Sequence, residues 1–208
     1  MIIFDFDGTI ANTFPLAVGV INKLASYFGY EKLSESDIET FRSLKLADIR
    51  SYLRLSWMEV PLFIIRVREE LFKQVGFIRP VLGMEDVVSE LKGKNHTLGL
   101  VTSNSSSVVE QFTGKYFPGC FSFVYAGAAI FGKDKIIREI LDTYHLDSKE
   151  VVYVGDEVRD VDAARRAGIE IISVSWGFQG REMLKKINPE FLVDSPHQLR
   201  EKLAKIID

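Results

Sequence analysis

Short apolar runs, each too brief for a helix, recur along the chain at residues 2–6, 96–102, 151–155 and 170–174, with weaker versions at 121–125 and 190–193. Runs of this length bounded by turn residues predict buried strands. Between them, apolar positions at helical spacing predict helices over 85–91, 105–115, 134–144 and 160–167, the second opening in a Ser cluster suited to capping. Strands alternating with helices predict an α/β fold, a Rossmann-like parallel sheet sandwiched by helices.

Residues 13–80 break this alternation. The stretch reads as three helices, 16–28, 36–53 and 60–75, without a convincing strand. The expected organisation is a core domain made of residues 1–12 and 81–208, interrupted by an inserted helical domain at 13–80, with Pro80 marking the return. The insertion carries 10 Lys and Arg against 8 Asp and Glu, and the remainder 16 against 21, so a weakly basic insertion interrupts an acidic core.

Composition narrows the class of protein. With 47% hydrophobic and 26% charged residues and a net charge of −3, the 208-residue chain is neither disordered nor a membrane protein. The nearest approach to a basic stripe is Arg165-Arg166 within a charged helix, so no nucleic-acid partner is expected. No apolar run approaches the roughly 20 residues of a membrane span. The first residues lack the basic and long apolar regions of a secretory signal, and Cys120 is the single cysteine, so the expected location is the cytoplasm. Nothing in the pattern specifies an oligomeric state.

Ligand sites of parallel sheets lie outside the carboxyl ends of the strands. The first predicted strand runs into Asp5-Phe6-Asp7-Gly8-Thr9, and the strand at 151–155 runs into Asp156-Glu157-Val158-Arg159-Asp160. If these strands are neighbours, at least three carboxylates converge, a cluster that needs a cation and whose hard oxygens suit Mg²⁺. Thr102-Ser103-Asn104-Ser105 places hydroxyl and amide donors before a helix start, where a phosphate oxygen can be held. Lys133 and Lys135, near another helix start, each offer a cation for both the carboxylates and a phosphoryl group. An aspartate nucleophile, a metal, a hydroxyl donor and a cation are the parts that phosphoryl transfer uses.

Four motifs, DFDGT at 5–9, LVTSN at 100–104, the Lys133 region and GDEVRD at 155–160, occur in the order found in the haloacid dehalogenase superfamily. The sequence resembles that superfamily over nearly its whole length, specifically its phosphatase branch similar to phosphoglycolate phosphatase. The resemblance implies that Asp5 attacks phosphorus to form an aspartyl-phosphate, while Asp7 protonates the leaving alcohol and then activates water. It implies phosphate binding by Thr102, Ser103, Asn104 and Lys133, with Lys133 preferred to Lys135 by its position after Gly132. Mg²⁺ is then expected on Asp5, the Asp7 carbonyl, Asp156 and, in support, Asp160. The inserted helices resemble the small cap that selects a phosphorylated metabolite in this family. A sugar phosphomutase using the same intermediate, and an inactive binding or regulatory copy of the fold, are the alternatives. A dehalogenase is disfavoured, because that branch lacks the second aspartate present here as Asp7.

Other residues carry plainer expectations. Thr102 and Asp160 are each in position to cap a following helix. His96, His145 and His197 lack ligand spacing. Cys120 reads as a buried small hydrophobe, and Trp57-Met58 as core of the insertion. Trp176-Gly177-Phe178 reads as a packed turn or a border of the site. Arg42 and Lys45 suit either a solvated helix face or a substrate carboxylate.

Overall fold

A computed structural model describes residues 1–44, 46–127 and 132–207. The chain divides into two compact units, one comprising Met1–Asn12 and Arg79–Asp208, the other Thr13–Ile78.

The first unit is built on a six-stranded sheet. Its strands are β1 (Ile2–Phe4), β2 (Leu98–Val101), β3 (Phe123–Tyr125), β4 (Val152–Gly155), β5 (Glu170–Val174) and β6 (Leu192–Val193). They lie in the order β3-β2-β1-β4-β5-β6, every adjacent pair parallel. Parallel neighbours need crossovers, and helices supply them. In the register, Phe4 pairs with both Leu100 and Val154, so β1 lies between β2 and β4. The residues just past these three strands therefore share one edge of the sheet.

Strand residues buried on both faces explain the unbroken apolar runs. On one face Ile3, Val101, Tyr153 and Ile171 pack against Ile137 and Ile140 of one helix and Val161, Ala163 and Ala164 of another. Phe6 meets the Phe112 ring edge-on at 5.0 Å.

The second unit comprises α1 (Phe14–Phe28), α2 (Glu35–Arg42), α3 (Leu46–Tyr52), α4 (Val60–Phe72) and a 3-10 turn at Val75–Phe77. Its core gathers Val20, Ile21, Leu24, Leu33, Phe41, Leu53, Leu55 and Phe63. The Asn22 amide holds both the N–H and the carbonyl of Leu33, at 2.7 and 2.9 Å, fixing the turn after α1. The helix expected over 36–53 is instead two. Ser43 Oγ donates to the Thr40 carbonyl at 2.6 Å and closes α2 locally, a backbone alternative that serine offers to helix propagation. Trp57 and Met58, expected in the core, are 76% and 91% exposed, because they lie in the turn before α4; the Arg50 guanidinium lies over the Trp57 ring at 4.3 Å. Arg42 stacks 5.4 Å over Phe14 and pairs with Glu39, while Lys45 falls outside the described residues. Cys120, in the first unit, is half-buried rather than buried.

The remaining helices of the first unit are α5 (Met84–Gly93), α6 (Ser106–Tyr116), α7 (Lys133–Tyr144), α8 (Val158–Ala167), α9 (Arg181–Ile187) and α10 (Pro196–Ile207). The last two were not anticipated, although Ser195-Pro196 and the apolar spacing of Leu199 and Leu203 announce α10. No helix among the described residues is long and apolar enough to cross a membrane.

Candidate active site

Asp5 follows β1, Thr102 follows β2 and Asp156 follows β4, so the sheet order itself carries these three onto one edge. The β1 loop then turns sharply. Gly8 adopts φ 76°, and the Phe6 carbonyl accepts from the N–H groups of Ile10 and Ala11 at 3.1 and 2.9 Å. That turn holds Asp5 and Asp7 near the strand end instead of letting the chain run on.

Asp5 is 2% exposed. Its Oδ1 accepts from the Phe6 N–H at 2.8 Å and lies 2.9 Å from Lys133 Nζ; Oδ2 takes no hydrogen bond from the described residues. Lys133 opens α7, is 2% exposed, and also donates to Asp160 Oδ1 at 2.7 Å. Lys135 is exposed. Tyr153 lies beneath, its ring 5.6 Å from Lys133 Nζ and its hydroxyl donating to the Val101 carbonyl at 3.2 Å. Asp160 is not a helix cap. The capping residue of α8 is Glu157, and Asp160, one turn in, returns a hydrogen bond by accepting from the Glu157 N–H at 3.1 Å.

On the β2 side, Thr102 is buried and its Oγ1 accepts from the Asn104 N–H at 3.0 Å, which leaves the hydroxyl proton for another acceptor. Ser105, not Thr102, is the residue before α6. The Asn104 amide donates to both oxygens of Asp7, at 3.2 and 3.0 Å. The Asn104 side chain, expected on phosphate, thereby orients Asp7. Ser103 is half-buried beside it.

Oxygens of Asp5, Asp156 and Asp160 lie within 4.8 Å of one another, and all three residues are buried. Glu157 adds a fourth carboxylate, paired with Arg159. Two cations, Lys133 and Arg159, thus face four acids. Burial, opposed by Lys133 and reinforced by Asp160, raises Asp5 to about 7. Asp156 is pushed well above the carboxylate range by burial, then by the charges of Glu157, Asp5 and Asp160. Burial works against the Lys133 charge, but Asp160 and Asp5 outweigh it and hold its pKa well above the ordinary value. A buried, acid-rich cluster of hard oxygens with a free Asp5 oxygen fits a small divalent cation.

Some of this was not visible in the sequence. Thr9 Oγ1 donates to Asp156 Oδ1 at 2.8 Å, and the Phe178 N–H donates to Oδ2 at 2.6 Å, contacts that no local spacing signals. Trp176-Gly177-Phe178 therefore borders the site. The three histidines lie elsewhere: His145 ends α7, His197 sits 3.8 Å from Glu201, and His96 precedes β2.

A parallel α/β sheet presenting buried aspartates, a lysine and a hydroxyl at its carboxyl edge defines an enzyme domain with its reactive groups on strand-end loops. A family model described as haloacid dehalogenase-like hydrolase matches residues 2–174. The chain is 32% identical to a phosphoglycolate phosphatase of Synechococcus elongatus, across 99% of this chain and 98% of that one. It is 23% identical to the pyrophosphatase PpaX of Bacillus mycoides, across 99% and 97%. A haloacid dehalogenase-like family hydrolase from Streptococcus pneumoniae shares the fold, with a TM-score of 0.79 at 19% identity over 97% of each chain. The chain belongs to the haloacid dehalogenase-like hydrolases.

Proposed function

We propose that the protein is a Mg²⁺-dependent phosphatase of small phosphorylated metabolites, acting through an aspartyl-phosphate on Asp5. The observation that carries this reading is the junction of Asp5 with Lys133 and the buried carboxylates at one strand edge, with Asp7 and Thr102 on the adjoining loops. An oxygen of Asp5 forms the bond to phosphorus as the bond to the leaving oxygen breaks, and Asp7 delivers a proton to that oxygen. Asp7 then takes a proton from the water that attacks the phosphoryl group, freeing Asp5 and releasing phosphate. Asn104 keeps Asp7 oriented for both transfers. The Thr102 hydroxyl, Ser103 and Lys133 hold phosphoryl oxygens. Asp5, the Asp7 carbonyl and Asp156 would hold Mg²⁺, with Asp160 supporting. Bound there, Mg²⁺ neutralises charge that builds on the phosphoryl oxygens.

Residues 13–80 serve in this reading as the cap domain that selects the substrate. The identity to a phosphoglycolate phosphatase over nearly the full length makes 2-phosphoglycolate the first candidate. A panel of 2-phosphoglycolate, pyrophosphate, sugar phosphates and nucleotides, assayed for inorganic phosphate, tests the reading. Turnover of at least one is expected with Mg²⁺, loss to background after EDTA, and recovery on adding Mg²⁺ back. Isomerised sugar phosphate without phosphate release would instead make the protein a mutase, and undiminished turnover in EDTA would remove the metal.

The raised Asp5 pKa gives a second test. The native, metal-free cluster keeps a proton that the unfolded chain releases near pH 3.8, up to about pH 7. Its stability contribution is full below the lower value and is lost as pH rises through that window. Mg²⁺ displaces such protons, so the rise in melting temperature on adding it is expected to be larger at pH 8 than at pH 5. An equal or larger rise at pH 5 contradicts the assignment of the cluster as the metal site.

A further inference from the structure

Among the described residues Asp156, unlike Asp5, Asp160 and Glu157, forms no ion pair. Lys133 is engaged with Asp5 and Asp160, and Arg159 with Glu157. Although 0% exposed, Asp156 is held, among the described residues, by neutral donors, Thr9 Oγ1 on one oxygen and the Phe178 N–H on the other. These donors come from different loops, and the Trp176 indole N–H ties the loops together by donating to the Thr9 carbonyl at 3.1 Å. Two glycines make the approach possible. A Cβ on Gly177 would lie 2.1 Å from Asp156 Oδ2, and one on Gly8 would lie 2.3 Å from the same atom. The backbone on both sides is therefore pressed against the carboxylate.

We infer that the segment Trp176-Gly177-Phe178 after β5, together with Thr9, is a positioning clamp that presents Asp156 and sets the affinity for the divalent cation. This rests on the metal-dependent reading above. Neutral donors are suited to the task. A cationic partner would compete with the metal for Asp156, whereas an N–H and an O–H fix both oxygens and leave the negative charge uncancelled. The Thr9 link is also direct coupling: it joins the metal-holding carboxylate to the loop that carries Asp5 and Asp7. Trp176 acts by fixing the Thr9 backbone. These are positioning residues, and their removal should appear in metal binding before it appears in substrate binding.

Titration calorimetry of the full chain with MgCl₂ tests this, using Thr9→Val, Trp176→Phe and Gly177→Ala. Removing partners of this kind costs roughly 10–100-fold in metal affinity. Thr9→Val and Trp176→Phe are each expected to raise the Mg²⁺ dissociation constant by about that factor. Both should recover kcat at saturating Mg²⁺, with the KM for the phosphoester unchanged. Thr9→Ser, which keeps the hydroxyl, should bind Mg²⁺ like the unmodified protein. Gly177→Ala is the harsher change, and circular dichroism of each variant separates lost binding from lost folding. Unchanged Mg²⁺ affinity in folded Thr9→Val and Trp176→Phe overturns the clamp while leaving the metal reading intact. So does a loss confined to kcat at saturating Mg²⁺. If the unmodified protein itself binds no Mg²⁺, the metal reading falls and the clamp with it.

Discussion

Asp5→Asn is expected to abolish phosphate release while leaving the fold intact or more stable. The amide has nearly the shape of the carboxylate, and its oxygen still accepts from the Phe6 N–H and Lys133, the two donors on Oδ1. What it loses is the anionic oxygen that bonds phosphorus. Removing a nucleophile of this kind reduces kcat by at least about 10⁴-fold. The stability argument runs the other way. With a pKa of about 7, Asp5 at pH 8 is ionised in surroundings that resist the charge. The neutral amide relieves that cost and lightens the repulsion on Asp160 and Asp156. In metal-free buffer at pH 8 the melting temperature is expected to equal or exceed that of the unmodified protein, and the Mg²⁺-induced rise to shrink. A second measurement isolates the chemistry: acid quench during turnover followed by intact-mass analysis should show one added phosphoryl group on the unmodified chain and none on the variant. Metal-dependent turnover retained by Asp5→Asn would remove Asp5 as the nucleophile.

The contrast between what the sequence revealed and what it concealed follows the reach of the forces involved. Alternating buried runs and helical patterns are local, and in a parallel sheet they carry their strand-end residues to one edge; Asp5, Thr102 and Asp156 were legible for that reason. Lys133 was separable from Lys135 only through the resemblance, since both precede or open a helix; burial beside Asp5 and Asp160 distinguishes them in the structure. The Thr9 to Asp156 hydrogen bond joins residues 147 apart and leaves no periodic trace. The same holds for Phe178 and Trp176, whose contributions are an N–H of the backbone and one indole donor. Asn104 illustrates a subtler limit of sequence patterning. An amide suits a phosphate and a carboxylate equally, and the hydrogen bond to Asp7 leaves no trace in the sequence. Trp57 and Met58 were misplaced because composition predicts burial of large apolar residues on average, whereas a turn exposes them whatever their type.

Lys133→Met carries the largest expected effect on stability. One ammonium, 2% exposed, serves Asp5 at 2.9 Å and Asp160 at 2.7 Å, so its loss leaves two buried acids without their ion-pair partner, with Arg159 acting on them only at longer range. Removing one partner of a buried ion pair costs about 3–5 kcal/mol. The cost depends on pH, and its sign follows from the direction of the shifts. Lys133 has its pKa raised well above the ordinary 10.5, so in the unmodified protein its contribution is complete across the neutral range and is lost only at higher pH. In the variant the liability falls on Asp5, whose pKa, already raised to about 7, rises further once Lys133 no longer opposes the effect of burial. Asp5 is then charged without its ion-pair partner at pH 8, and protonated and tolerable at lower pH. The stability gap between Lys133→Met and the unmodified protein, measured by urea unfolding without metal, is therefore expected to be wide at pH 8 and to narrow at pH 5. A gap independent of pH would place the damage in packing against Tyr153 instead of in charge. The double variant Lys133→Met with Asp160→Asn removes a charge of each sign, and should recover much of the lost stability at pH 8. It should recover no activity, because in the proposed mechanism the same ammonium that balances the acids in the resting site must also hold the phosphoryl oxygens.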